Sequence, residues 1–165
     1  MKTALHLLLG GLLVPGVVLL VVPGLLVWLY PIELPNPTLA RYWFAKVMLP
    51  SGLVLMGTAT AQFVVTGRGT PAPWAPPQEL VTTGLYAYVR NPIMLGMLLM
   101  LGGEALLIAS EAIGVWFALV ATVTLAYTHL IEDRTLHARF GETYSAYKAG
   151  VPAWFPRFSA WTPNA

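Results

Sequence analysis

Cysteine is absent from the 165 residues, which excludes disulfides, thiolate metal sites and cysteine nucleophiles and leaves the redox compartment open. Charge is almost as scarce. Asp, Glu, Lys and Arg make up 10% of the chain, and the formal net charge is +2. There is no basic block, so nucleic acid is not an expected partner. No nucleophile elbow, no phosphate-binding glycine loop with lysine and no zinc-protease pattern is present. No internal repeat is visible. His129 and Glu132 share a helix face, but His6 and His137 lie in distant segments and two further ligands are lacking, so no metal is expected.

What is present is mostly apolar. The chain is 57% hydrophobic, with a mean hydropathy of +0.69, a balance that fits an integral membrane protein. At this length one compact bundle is expected, residues 1–165 forming a single domain. Four stretches are long enough to span: about Ala4 to Tyr30, Tyr42 to Thr66, Pro92 to Ala109 and Ala112 to Ile131. The first is too long for a signal-peptide core and is read as a retained helix, with Pro15 and Pro23 marking a kink or break. Only Ser110-Glu111 separates the third from the fourth, which predicts an antiparallel hairpin. The expected fold is therefore an all-α membrane bundle of about four transmembrane helices. With the N-terminus inside, Lys2, Arg68, Arg90, Arg134, Arg139, Lys148 and Arg157 face the cytoplasm and only Arg41 and Lys46 face out. Such a chain is multi-pass, with the loop over 67–91 and the C-terminal tail on one cytoplasmic face.

The tail is expected to be ordered. Leu136, Phe140, Tyr144 and Tyr147 recur at helical spacing from Glu132 to Lys148, with Arg139, Glu142 and Lys148 opposite, which predicts a cytosolic amphipathic helix. Gly141 interrupts that run at modest cost, and Gly150 and Pro152 end it. Trp154, Phe155, Phe158 and Trp161 follow as an aromatic cluster suited to a membrane interface.

The polar residues concentrate in three places. Gly84 to Gly96 reads GLYAYVRNPIMLG: a turn-rich segment with one cation, Arg90, entering a helix at Pro92. Proline is tolerated in a first helical turn, and the free N–H groups there, beside Arg90, suit a carboxylate or another acceptor. Arg90 alone is equally readable as a snorkelling cation. Glu132-Asp133 stands at the end of the fourth helix, either solvating that end or accepting hydrogen bonds from a ligand. Gly67-Arg68-Gly69 offers a flexible backbone for close ligand approach. Glu104 lies near the outer end, where an intramembrane acid can serve an ion path.

Joined in order, GLYAYVRNPIMLG, a helical hairpin and EDRTLHARFGETYSAYKAGVPAWFPR resemble the isoprenylcysteine carboxyl methyltransferase family and the related phospholipid methyltransferases, over Gly84 to about Arg157. The resemblance implies S-adenosylmethionine as methyl donor, with S-adenosylhomocysteine as product, and a lipophilic or membrane-associated acceptor carrying a carboxylate, amine or other heteroatom. It implies that residues 1–66 supply N-terminal helices and 67–165 the cofactor-binding core and tail. By position, Gly84, Tyr86, Arg90, Asn91, Pro92 and Gly96 would form one half of the cofactor pocket, Glu132 and Asp133 the other, with Gly67 and Gly69 matching a further glycine element. Arg90 would steer the cofactor carboxylate or an acidic acceptor, and Glu132 would contact ribose or ammonium groups; these two are the expected catalytic residues. The family pattern usually has His at Asn91, Tyr at Met94 and a second Glu at Asp133, departures that fall more on the acceptor end than the cofactor end. Two alternatives stay open: an NADPH-dependent membrane reductase of the sterol-reductase type, and a non-enzymatic small membrane transporter or scaffold.

Overall fold

The computed structural model describes residues 13–33, 35–67 and 77–163. Among them there is no strand; the described residues are all-α.

Helix α1 covers Leu13–Leu29. Its middle widens into a π turn at Val17–Val21, where the Val22 N–H reaches the Val17 carbonyl five residues back. The expected irregularity therefore sits just before Pro23, which has no N–H to continue the ladder. Helix α2, Ala40–Gly67, carries Pro50 in its interior without ending there. Proline in an apolar helix is tolerated where neighbouring groups re-satisfy the freed carbonyl. Helix α3, Pro92–Ile108, starts with proline in its first turn and ends on Ala109 in a left-handed conformation at φ 52°. Ser110 then opens α4, Glu111–Tyr127, giving the hairpin expected from the two-residue spacer.

The fourth span and the amphipathic tail are expected as separate helices, and here the structure differs. Helix α4 runs on through a π turn, Thr128–Glu132, into α5, Asp133–Gly150, with no break where the span was expected to end. The break falls instead at Gly141, whose φ of 55° and ψ of −130° are not helical. Gly141 is thus a corner, not a helical residue of reduced propensity. The physical reason is that glycine alone adopts this conformation without strain, so the chain turns where it can.

Helices α2 and Glu111–Gly150 are long and apolar enough to cross a membrane, while α1 and α3 are shorter apolar helices. The core lies among α1, α3 and α4, with Leu19, Met97, Leu101, Ile113 and Val120 buried. Helices α2 and α3 meet through glycine. A Cβ on Gly52 would lie 2.6 Å from the Gly96 carbonyl oxygen, and one on Gly96 would lie 2.7 Å from the Gly52 oxygen. Backbone meets backbone there, as small residues allow between apolar helices. This seam sets the N-terminus of α3 beside the C-terminal half of α2, where the polar segments gather.

Candidate functional site

The segment before α3 is pinned from two directions. Gly84, at φ 60°, opens a 3₁₀ turn over Gly84–Ala87. Leu85 donates its N–H to Gln62 Oε1 at 3.0 Å, and a Cβ on Gly84 would lie 2.5 Å from the same Gln62 side chain. Glycine is needed here for conformation and for space. The Tyr86 hydroxyl donates to the Ala59 carbonyl at 3.3 Å. Burial, with Tyr147 and Glu132 nearby, pushes the Tyr86 phenol far above its ordinary pKa, so it remains a donor.

From the other direction the C-terminal segment lies along residues 86–91. Tyr147 donates its hydroxyl to the Tyr86 carbonyl at 2.7 Å. The N–H groups of Trp161 and Arg157 reach the carbonyls of Ala87 and Tyr88 at 2.9 and 3.0 Å. The N–H groups of Arg90 and Asn91 reach the carbonyls of Pro152 and Ala153 at 2.9 and 3.3 Å. The aromatic cluster expected at an interface divides accordingly: Trp161 packs on Tyr147 at 5.4 Å, whereas Phe155 and Phe158 are exposed.

Arg90 is the centre of this join. Its Nε donates to the Val151 carbonyl at 2.9 Å, and its Nη1 donates to Asp133 Oδ1 at 2.7 Å and to the Tyr144 hydroxyl at 2.8 Å. Tyr144 in turn hydrogen-bonds Asp133 Oδ1. Lys148 Nζ donates to Asp133 Oδ2 at 2.7 Å, with His129 Nδ1 3.8 Å from that oxygen. Asp133 thus ties the start of α5 to Tyr144 and Lys148 further along it and to Arg90, and Arg90 in turn holds the chain exit at Val151.

Beside this network lies a cavity of about 380 Å³, within the range of about 300–1,000 Å³ typical of small-molecule sites. The entry to α3 lines it with Tyr86, Arg90, Asn91, Pro92, Ile93 and Met94. Helices α4 and α5 and the π turn between them contribute Tyr127, Ile131, Glu132, Thr135, Leu136, Arg139, Tyr144 and Tyr147, and Phe63, Pro77, Leu80 and Val81 complete the wall. Asn91 Nδ2 and Glu132 Oε2 are both buried without a hydrogen-bond partner among the described residues. Leaving such a group unpaired costs about 1–3 kcal/mol, so a site that keeps two of them is suited to a polar ligand.

The residues singled out in the sequence therefore separate. Tyr86, Arg90, Asn91, Pro92 and Glu132 line one cavity, joined by Met94. Asp133 stands behind that wall, committed to Arg90, Lys148 and Tyr144. Gly84 is the first residue of the 3₁₀ turn and does not line the cavity. Gly67 closes the base of a loop, its carbonyl accepting from the Gln78 N–H at 2.8 Å. Gly96 is in the α2–α3 seam and not in the cavity lining. Gly69 lies outside the described residues, as does Arg68. Tyr144, Tyr147, Leu136 and Arg139 were not among the expected site residues, although three of them form the helical stripe noted above. Their spacing signals an apolar face; it does not signal that Tyr144 brings its hydroxyl to Arg90. Among the described residues no group of three or more His, Asp and Glu is clustered as metal ligands.

A family model described as phospholipid methyltransferase matches residues 40–143. Methanethiol S-methyltransferase 2 of Bradyrhizobium diazoefficiens is 37% identical over 83 residues, which are 50% of this chain and 31% of that protein. Protein-S-isoprenylcysteine O-methyltransferase of Schizosaccharomyces pombe is 32% identical over 77 residues, 47% of this chain and 33% of that protein. The matched part thus spans about a third of each of these relatives. No solved structure gives a significant match.

Proposed function

The chain belongs to the phospholipid methyltransferase family, and from that membership we propose that it transfers a methyl group from S-adenosylmethionine to a lipophilic acceptor at the membrane. The observation that carries this reading is the pair of unpartnered buried atoms, Asn91 Nδ2 and Glu132 Oε2, on residues from the two halves of the motif that line one cavity. Their chemistry fits the cofactor. Glu132 can accept from ribose hydroxyls or an ammonium group, and Asn91 can donate to a carboxylate. Arg90 adds Nη2, which makes no hydrogen bond to the described residues. When bound, the cofactor supplies a methyl group already activated on a sulfonium. What remains for the protein is to orient both partners and exclude water. The Arg90–Asp133–Tyr144 network holds the wall that does so.

The apolar part of the lining suits a lipophilic acceptor. Ile93, Met94 and Leu136 face it, and Tyr127 and Ile131 line it while also being exposed on the helix exterior. An acceptor can therefore reach the cavity from the bilayer. A bundle of four spans is the architecture this reading requires. Arg90, Arg139, Lys148 and Arg157 belong to the cavity end, and Arg41 pairs with Glu33 at the other, where the Glu33 N–H meets the Ile108 carbonyl. The positive-inside rule then puts the cavity on the cytoplasmic face.

The test is calorimetry on the detergent-solubilised chain with S-adenosylhomocysteine and, separately, NADPH. Saturable binding of the first alone, weakened by Glu132→Gln and by Asn91→Ala, is expected. Binding of NADPH alone moves the chain to reductase chemistry, and binding of neither overturns the proposal.

A further inference from the structure

Two aromatic rings at the chain exit stand outside the core. Phe155 and Phe158 are the most exposed of the large apolar side chains among the described residues, and neither belongs to a core cluster. Their segment is nevertheless fixed. Val151 and Ala153 are buried before them, and Trp161 packs on Tyr147 after them. Between the two rings, Arg157 donates its N–H to the Tyr88 carbonyl at 3.0 Å and its Nη1 to the Gly150 carbonyl at 2.7 Å. The rings are therefore held out on a pinned strap and do not belong to a fraying end.

We propose that this strap, residues 151–161, is a membrane-interface anchor, and that Phe155 and Phe158 enter the bilayer surface beside the cavity. The anchor is independent of which molecule the cavity takes.

Depth, charge and area each select lipid as the partner. The Ala153 carbonyl accepts from the N–H of Asn91, the N-cap of α3. The strap thus lies level with the end of an apolar helix, the depth at which aromatic side chains collect in membrane proteins. Ile131, which lines the cavity together with Asn91, is exposed as well, so apolar surface is present at that level on a second element. From Thr143 to Ala165 the charged side chains are Lys148 and Arg157, with no Asp or Glu among them. Such a surface suits phosphate-bearing headgroups. Two phenyl rings offer roughly 300–500 Å², at about 150–250 Å² each, which is short of the about 800 Å² per partner of a stable protein interface. Lipid sets no such threshold, because binding grows with whatever apolar area is buried. The strap also gives the Val151 and Pro152 carbonyls to Arg90. A bilayer holding the two rings therefore braces the cavity wall from outside.

The test uses the absence of cysteine, which lets one introduced cysteine carry one label. Ser159→Cys, exposed beside the rings, and Glu142→Cys, exposed on α5, are each labelled with an environment-sensitive fluorophore. The full chain is then reconstituted in phosphatidylcholine vesicles. Lipid carrying a nitroxide near its headgroup quenches labels in the bilayer surface, and aqueous cobalt quenches labels in water. The label at residue 159 should be quenched by the nitroxide lipid and shielded from cobalt, and the label at residue 142 should show the reverse. Adding Phe155→Ser and Phe158→Ser should abolish nitroxide quenching at residue 159 and open it to cobalt. The thermal midpoint of that double variant in detergent should match the wild type, since neither ring belongs to the core. A label at residue 159 that cobalt quenches and the nitroxide does not faces water, and overturns the proposal. One shielded from both quenchers lies against protein, such as a second copy of the chain, and overturns it too. So does a double variant with unchanged quenching, or one whose midpoint falls, which would place the rings in the packing of the fold.

Discussion

Arg90 and Asp133 stand 43 residues apart in sequence and meet at 2.7 Å, with 9% and 5% of their side chains exposed. One belongs to the entry of α3 and the other to the start of α5, so this contact closes the cavity wall. It also distinguishes the two adjacent acids. Asp133 is engaged on both oxygens by Arg90, Tyr144 and Lys148, while Glu132 keeps a buried oxygen with no partner among the described residues.

Breaking that pair from either side leaves a buried charge behind. Arg90→Met and Asp133→Leu should each cost about 3–5 kcal/mol. The double variant should cost less than the sum, because it removes both charges together. Denaturant unfolding in a fixed detergent measures all three, and strict additivity would show that the pair is not coupled.

Tyr144 is 2% exposed and its hydroxyl touches both members of the pair. Tyr144→Phe keeps the ring and deletes only those bonds. A loss of about 1–3 kcal/mol is expected, with S-adenosylhomocysteine affinity falling as the wall loosens. An unchanged midpoint and affinity would show that the hydroxyl contributes nothing.

Much of this arrangement was legible in the sequence, for identifiable reasons. Long apolar runs, Pro92 at a helix start and the Ser110-Glu111 spacer located α2, α3 and α4 to within a residue or so at the hairpin, because each signal is local. That Arg90 and Glu132 would come close together, as they do in lining one cavity, was expected from placing both segments on one membrane face. The join between α4 and α5 was not legible, since a π turn leaves no local mark in THLIE. Nor did the motif separate Gly84, Gly96 and Arg90 by task. One glycine supplies a positive φ, another a helix crossing, and only contacts across the fold tell them apart. The partner of Arg90 was hidden likewise, because adjacent Glu132 and Asp133 read as equivalent acids until the helix phase points them apart.

The glycine seam makes a graded expectation. A Cβ on Gly96 would lie 2.7 Å from both Gly52 O and Met56 N, which are backbone atoms and cannot swing aside. On Gly102 it would meet the flexible end of Met48 at 3.0 Å, and on Gly114 nothing within 4 Å. Gly96→Ala should destabilise by about 1–3 kcal/mol, Gly102→Ala should cost less, and Gly114→Ala should be neutral or stabilising by up to about 1 kcal/mol. Thermal unfolding of the three variants gives the order. A Gly96→Ala variant as stable as the wild type would mean that the helices do not cross this closely.

Gly141 separates conformation from packing. A Cβ there would meet nothing within 4 Å, so alanine collides with no neighbour. The backbone is the difficulty: φ 55° with ψ −130° is a conformation that alanine adopts only under strain, at a cost of about 1–3 kcal/mol. Alanine also favours the continuous helix that glycine interrupts. Straightening the corner would carry Tyr144, Tyr147 and Lys148 away from Arg90, Tyr86 and Asp133, since all three lie beyond it on α5. Gly141→Ala should therefore lower S-adenosylhomocysteine affinity together with stability, although residue 141 does not line the cavity. Gly114→Ala, in α4, should leave that affinity unchanged. If Gly141→Ala reduces stability with affinity intact, the corner serves folding alone. If both are unchanged, the tail beyond Gly141 does not hold the site.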